Sequence, residues 1–280
     1  MTVPVGPDGA LAVYSAVGDA FAGRRIGFGR RRAALAANFA RNRGRDDEAV
    51  AASWVAGLLA EIGLLAGPKA DKPEGEGALE EAGPLATADV ALHAAHLVAA
   101  IPGLPRGAAD IVRWHREHDD GTGVPDGLRW DGIPADAAAL GIAHAFVAAV
   151  EDPEEPRDAT EALFGIAAEC GRAFRIELVR AFREFIASAP DRWDAAPEVA
   201  LPAPDRHELG TALSTITNDT IMGGPTPNSS TTITIPWTPR LDGVTSRVAT
   251  ELGLDRDGAA DVKSLIILAR VFFIVTGAPA

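Results

Sequence analysis

WHREHDDGTGVPDGLRWDGIP, residues Trp114 to Pro134, changes character halfway along. A histidine and a cluster of charges lead into Gly121-Thr122-Gly123-Val124-Pro125-Asp126-Gly127. A second break follows at Gly132-Ile133-Pro134, and an alanine-rich segment begins after it. Gly, Pro and Asp at this density fix the backbone between two helices. His115 and Glu117, at the end of the first helix, are thereby brought near the second. Such a layout suits a metal or phosphate site, or the remains of one.

On either side of this turn the apolar spacing predicts helix after helix. Upstream the segments are Leu11–Phe21, Arg30–Asn42, Glu48–Leu65, Thr87–Ile101 and Ala108–His118. Val50, Trp54, Val55, Leu58, Leu59 and Ile62 make Glu48–Leu65 dense enough to be central and buried. Gly67 to Pro84 is rich in Gly, Pro, Lys and Glu and reads as an exposed loop. Downstream come Ala135–Val150, Thr160–Glu169 and Ile176–Ile186.

Pro190 to Pro204 then reads as a proline-rich linker. Beyond it, helices are expected at Glu208–Thr220, Leu241–Leu252 and Ala259–Val275, with a short extended piece at Thr231–Ile235. LLAEIGLLAGP (Leu58–Pro68) and LARVFFIVTGAP (Leu268–Pro279) close two similarly ordered runs, a weak internal repeat. The expected organisation is therefore a helical domain over 1–189, a linker over 190–204 and a C-terminal helical segment over 205–280. That last segment reads as a truncated second half, a partial helical repeat.

The 280 residues carry a formal net charge of −13. A surface this acidic repels phosphate backbones and anionic lipid, which argues against nucleic-acid and membrane binding. Cys170 is the only cysteine, so no intramolecular disulfide forms, as expected in a reducing cytoplasm. The first residues show no basic region followed by an apolar run. The longest apolar stretch, Leu265–Val275, is interrupted by Arg270 and has about half the length a bilayer requires. It reads as a buried helix, and the protein as cytoplasmic.

Residues 111–134, IVRWHREHDDGTGVPDGLRWDGIP, resemble the HD-GYP variant of the HD phosphohydrolase superfamily. There a double-histidine-glutamate motif precedes a DGxGYPxGL turn and a helix opened by Ile-Pro. The matching turn here is Gly121, Gly123, Val124, Pro125 and Gly127, with Val124 at the tyrosine position. GLLAEIGLL (Gly57–Leu65) stands where the family has LLHDIGK, and ALGIAHAFVAA (Ala139–Ala149) where it has ILAVADVFDAL. AFRIELVRAFREFI (Ala173–Ile186) resembles the closing FDPELVEAF helix. The resemblance, over about residues 11–187, implies an all-α, HD-domain-like helical bundle. It also implies iron or manganese and hydrolysis of cyclic di-GMP or a related nucleotide.

Position by position, most of the implied ligands are replaced. Ala60-Glu61 stands for the HD pair, Leu64 for the following lysine and His115-Arg116 for the double histidine. His144 stands for the late aspartate, and Arg30 for the early histidine. The histidine of the next helix falls on Val90, with His93 and His96 close by on one helix face. Alanine and valine donate no lone pair, and arginine is a fixed cation that repels metals. Glu61, His115 and His144 remain as a set of two histidines and one carboxylate for a single metal. Alternatively, Arg30 or Arg116 pairs with Glu61 and turns the site into a salt-bridge network, or both arginines grip phosphate.

Taken alone, His115 reads as a helix-terminal cap, His144 as a core-edge histidine, the Arg30–Arg32 run as a solvated face and Cys170 as structural. The expected protein is a degenerate, catalytically inactive family member without a cofactor, acting as an interaction, scaffold or regulatory subunit with a protein partner or as a homodimer. The alternatives are a metal-dependent phosphodiesterase and a cyclic-dinucleotide sensor that does not cleave its ligand.

Overall fold

The computed structural model describes residues 8–66, 84–101, 103–188, 195 and 239–276. Among these the structure is helical, without a β-strand. The order is α1 Asp8–Phe21, α2 Phe28–Asn42, α3 Asp47–Leu59, a 3₁₀ turn Ile62–Ala66, α4 Pro84–Ala100 and α5 Ala108–Trp114. A second 3₁₀ turn, Trp130–Gly132, precedes α6 Ala135–Val150, α7 Ala159–Ala168 and α8 Ile176–Ser188. Two C-terminal helices follow, α9 Pro239–Glu251 and α10 Arg256–Thr276. The all-α expectation holds. The linker (apart from Ala195), Glu208–Thr220 and Thr231–Ile235 lie outside the described residues.

Local chemistry sets several of these boundaries. Asp46 accepts a hydrogen bond from the Ala49 N–H at 2.8 Å, and Asp47 and Glu48 sit in the first turn of α3, at the positive end of the helix dipole. Asp158 and Glu161 cap each other's backbone at the start of α7. Two expected helices are shorter than the apolar pattern suggested. The run Glu48–Leu65 breaks after Leu59, where the chain turns at Ala60-Glu61 before its 3₁₀ turn. The helix expected over Ala108–His118 stops at Trp114, because the chain turns there: the Glu117 N–H donates to the Trp114 carbonyl at 3.1 Å. Both breaks fall beside the site described below.

At the centre, α2 packs closely on α3 and α6. A Cβ on Gly57 would lie 2.3 Å from the Ala33 Cα, so only glycine permits this approach of α3 to α2. Phe39, Phe146 and Phe182 stack edge to face across α2, α6 and α8, with ring centroids 5.1 Å (Phe39–Phe182) and 5.6 Å (Phe146–Phe182) apart. The C-terminal helices share this core rather than forming one of their own. Leu241, Val244, Val248, Val262, Leu265 and Ile266 join the same buried cluster as Tyr14, Val17 and Ile62. The Tyr14 hydroxyl donates to the Leu265 carbonyl at 3.4 Å, and Arg247 to the Arg24 carbonyl at 2.9 Å. Among the described residues no helix is long and apolar enough to cross a membrane.

Candidate functional site

Four elements converge on Glu61, which occupies the turn just after α3. Its Oε1 accepts from the Arg116 guanidinium at 2.8 Å and from Arg32 Nη1 at 3.1 Å, and lies 3.9 Å from His144 Nδ1. Arg32, from α2, is completely buried, at 0% exposure. Its Nε and Nη2 donate to the Gly57 carbonyl at 3.0 and 2.8 Å, and its Nη1 lies 3.0 Å from His144 Nδ1. The glycine that lets α2 and α3 touch thus also supplies the carbonyl this guanidinium needs. Phe28 completes the wall, its ring edge-on to His144 at 5.4 Å and under the Arg32 guanidinium at 5.4 Å.

His115, just past α5, is buried, with Nδ1 2.7 Å from the Val112 carbonyl. That contact fixes Nδ1 as the protonated nitrogen. Nε2 then accepts from Arg116 Nε at 3.3 Å. The His115 and His144 rings lie 6.3 Å apart. Asp19, on α1, accepts the Gly27 and Gly29 N–H groups, each at 2.9 Å, at the start of α2.

The electrostatics follow from this packing. Burial opposes the charge on Glu61, but Arg116 and Arg32 outweigh it and hold the carboxyl well below the usual carboxylate range. Burial, then Arg116 and Arg32, pushes His115 down to about 3, and burial with Arg32 and Arg116 holds His144 well below its ordinary value. Burial raises Asp19 to about 6, against the pull of Arg32 and the two backbone donors. At neutral pH the pocket therefore holds two guanidinium cations, two carboxylates and two neutral imidazoles.

The structure brings Glu61, His115, His144 and Arg116 together as the sequence suggested. It does not bring Arg30, which is solvent-exposed. The buried cation is Arg32, and the reading of Arg30–Arg32 as one solvated face is corrected. Arg31 pairs through its guanidinium with Glu151, and Arg32 points into the core. Sequence reasoning also missed Asp19. The signal for Arg32 was present: Phe28, Arg32, Leu35 and Phe39 recur at helical spacing and are all buried. Arg32 therefore lies on the stripe facing the core.

The turn that follows is anchored from the same place. Glu117 accepts the Asp126 N–H at 2.6 Å and the Leu128 N–H at 2.9 Å. Asp126 in turn accepts from Arg113 Nε and Trp114 Nε1 at 2.8 and 2.7 Å. A Cβ on Gly123 would lie 2.1 Å from the His118 backbone nitrogen, so glycine is required there. Gly121 and Gly127 take positive φ, and Val124-Pro125 is cis. Asp119 is buried beside Arg175, at 3.7 Å, and Asp120 accepts from the Thr122 N–H at 2.9 Å. His93 is buried on α4, and burial raises the Cys170 thiol.

As they stand, these donors do not fit a metal centre. The lone pairs of Glu61 Oε1 and His115 Nε2 are engaged by guanidinium groups, and His144 Nδ1 faces Arg32 Nη1, the nitrogen that also donates to Glu61. A divalent ion would have to enter beside two fixed cations.

The chain belongs to the HD domain family, whose model matches residues 22–174. The crystal structure of a cyclic GMP-AMP-specific phosphodiesterase of V. cholerae is similar to this chain, with a TM-score of 0.58. The likeness covers 93% of this chain and 69% of that one at 14% identity, and it is a likeness of fold. No curated protein matches the chain.

Proposed function

We propose that this HD-domain protein is a degenerate HD-GYP-like member in which an internal ion-pair network stands in place of a metal centre. It acts as a non-hydrolysing interaction or regulatory subunit. The observation that carries this reading is Arg32. Its fully buried guanidinium touches the Gly57 carbonyl, Glu61 and His144 at once. Those are the contacts a coordinated cation would make, and arginine cannot give up its charge to admit one. With no activated water, what remains is a rigid helical shell whose outer surface serves recognition.

The test has two readouts on the purified full chain. Elemental analysis is expected to find iron and manganese far below one ion per chain. Cyclic di-GMP and cyclic GMP-AMP, with added manganese, are expected to remain uncleaved. Stoichiometric metal, together with turnover that is lost in His115→Ala, would overturn the reading.

The second reading is a metal-dependent phosphodiesterase, favoured by the likeness in fold to the V. cholerae enzyme across nearly the whole chain. In that case Glu61, His115 and His144 would hold the metal and Arg116, whose side chain is 27% exposed, would face the phosphate. Binding without cleavage is a variant of the same idea, and calorimetry with a cyclic dinucleotide separates it from both. A saturable heat without product would mark a sensor gripping phosphate through Arg116.

A further inference from the structure

The two histidines of the pocket are held in opposite tautomers. Arg32 Nη1 can only donate, so His144 Nδ1, 3.0 Å away, is the acceptor and the ring proton sits on Nε2. His115 is the reverse: its Nδ1 donates to the Val112 carbonyl, and its Nε2 accepts from Arg116 Nε. Both lone pairs are thus in use. His144 nevertheless keeps a donor, Nε2–H, that has no partner among the described residues.

Arg116 keeps one as well. Its Nε and Nη2 are taken by His115 and Glu61, which leaves Nη1 without a partner among the described residues. The two side chains meet at one atom. Arg116 Nη2 lies 2.8 Å and His144 Nδ1 3.9 Å from Glu61 Oε1. Glu61 is buried, whereas the Arg116 and His144 side chains are 27% and 20% exposed. The nitrogens left over are therefore what solvent can reach.

The surrounding charges choose the ligand. Glu61 is held between Arg32 and Arg116, and Asp19 is buried on the Gly27 and Gly29 N–H groups. Arg31 pairs with Glu151, Arg24 stacks over Phe28 at 4.8 Å, and Glu117 is occupied by the Asp126 and Leu128 N–H groups. Inside the pocket two guanidinium groups and two carboxylates cancel. An incoming group meets N–H donors, so it must bring an acceptor. One negative charge engages Arg116, whereas a second would stand uncompensated beside buried carboxylates.

We propose that Arg116 Nη1 and His144 Nε2–H together bind a singly charged oxyanion, a carboxylate or a phosphodiester, with His144 acting as a donor. This rests on the reading of the site as metal-free, since a metal would need the lone pair that His144 Nδ1 gives to Arg32.

Nitrogen NMR on the full chain is the test, with sodium acetate and dimethyl phosphate as separate probes at constant ionic strength. Long-range proton–nitrogen spectra are expected to show His144 as the Nε2–H tautomer and His115 as the Nδ1–H tautomer. At least one probe is expected to shift the His144 Nε2 and Arg116 guanidinium signals saturably, with a Kd of about 1 mM. A response to acetate alone marks a carboxylate site, and to dimethyl phosphate alone a phosphodiester site. His144→Phe is expected to weaken that binding about tenfold, the loss of one hydrogen bond. His144→Gln, whose amide N–H extends to the place of Nε2, is expected to keep it within about threefold. An Nδ1–H tautomer for His144 overturns the proposal, as does the absence of a saturable shift with either probe. So does a His144→Phe variant that binds like the parent, or a His144→Gln variant as weak as His144→Phe. Elemental analysis of the same sample separates the two failures. Stoichiometric metal removes the metal-free reading, whereas metal-free protein that binds neither probe removes the oxyanion site alone.

Discussion

Arg32 and Glu61 are each costly to bury alone: Glu61 is stabilised by Arg116 and Arg32, and Arg32 by Glu61 and Asp19, against the repulsion of Arg116. A buried ion pair contributes little net stability over an apolar pair of the same volume, but removing one partner strands the other. Glu61→Gln leaves Arg32 in the core with its charge balanced only by Asp19 and the Gly57 carbonyl. Urea unfolding is expected to show a loss of about 3 kcal/mol for this variant. Arg32→Met is expected to cost less, because Glu61 keeps Arg116. The double change Arg32→Met with Glu61→Gln is expected to cost less than the sum of these two single changes, the sign of direct coupling. Strict additivity would mean that the two side chains do not interact. At this scale the sequence was partly legible. Glu61, His115, His144 and Arg116 were readable from their positions relative to the family's motifs. The buried arginine was misplaced by two residues, because a run of three arginines does not say which one faces inward. Only the stripe shared with Phe28, Leu35 and Phe39 resolves that.

Helices are positioned here by small residues as much as by large ones. Gly57 sets the distance between α2 and α3 and so decides whether Arg32 reaches the α3 carbonyl. Gly57→Ala would push a methyl group to 2.3 Å from the Ala33 Cα, a backbone atom that cannot swing aside. The expected cost is about 3 kcal/mol in thermal or urea unfolding, at the upper end for overpacking a core. The variant should also lose part of the Glu61→Gln effect, since α2 has moved. A variant as stable as the parent would show that the α2–α3 contact is looser than described. Periodicity predicted α6 at Ala135–Val150, the bounds observed, because proline opens it and a charged loop closes it. The same rule missed the break after Leu59. Apolar spacing carries no information about a carboxylate that must leave the helix register to meet two guanidinium groups. The two helices α9 and α10 were legible in the sequence only as helices. That α9 and α10 share the first core is a tertiary fact, set by Tyr14 and Leu265 rather than by any local pattern.

The whole chain is acidic, yet its response to pH should be governed by the balance inside this one pocket. His115 is held down near 3 and His144 well below its ordinary value. Both titrate near 6.5 in the unfolded chain. As pH falls below 6.5, the unfolded state therefore takes up two protons that the folded state refuses, and stability falls. Asp19 works in the opposite sense. Its folded value, about 6, lies above the unfolded one, so the folded state takes up a proton first and gains stability as pH falls through 6. Glu61, depressed by its two arginines, keeps its full contribution until the pH falls into the ordinary carboxylate range and loses it below. Between about pH 4.5 and 6 the site leaves one net proton in favour of the unfolded state. Its expected contribution is an increase in unfolding free energy with pH of about 1.4 kcal/mol per unit. In His144→Phe, the remaining imidazole and Asp19 cancel, and that contribution is expected to vanish. Urea titrations at half-unit steps across this window read both slopes. A parent no steeper than the variant would mean that His144 is already protonated in the fold. A charged imidazole 3.0 Å from the Arg32 guanidinium is not tenable, so that result would displace Arg32 from the pocket it is seen to fill.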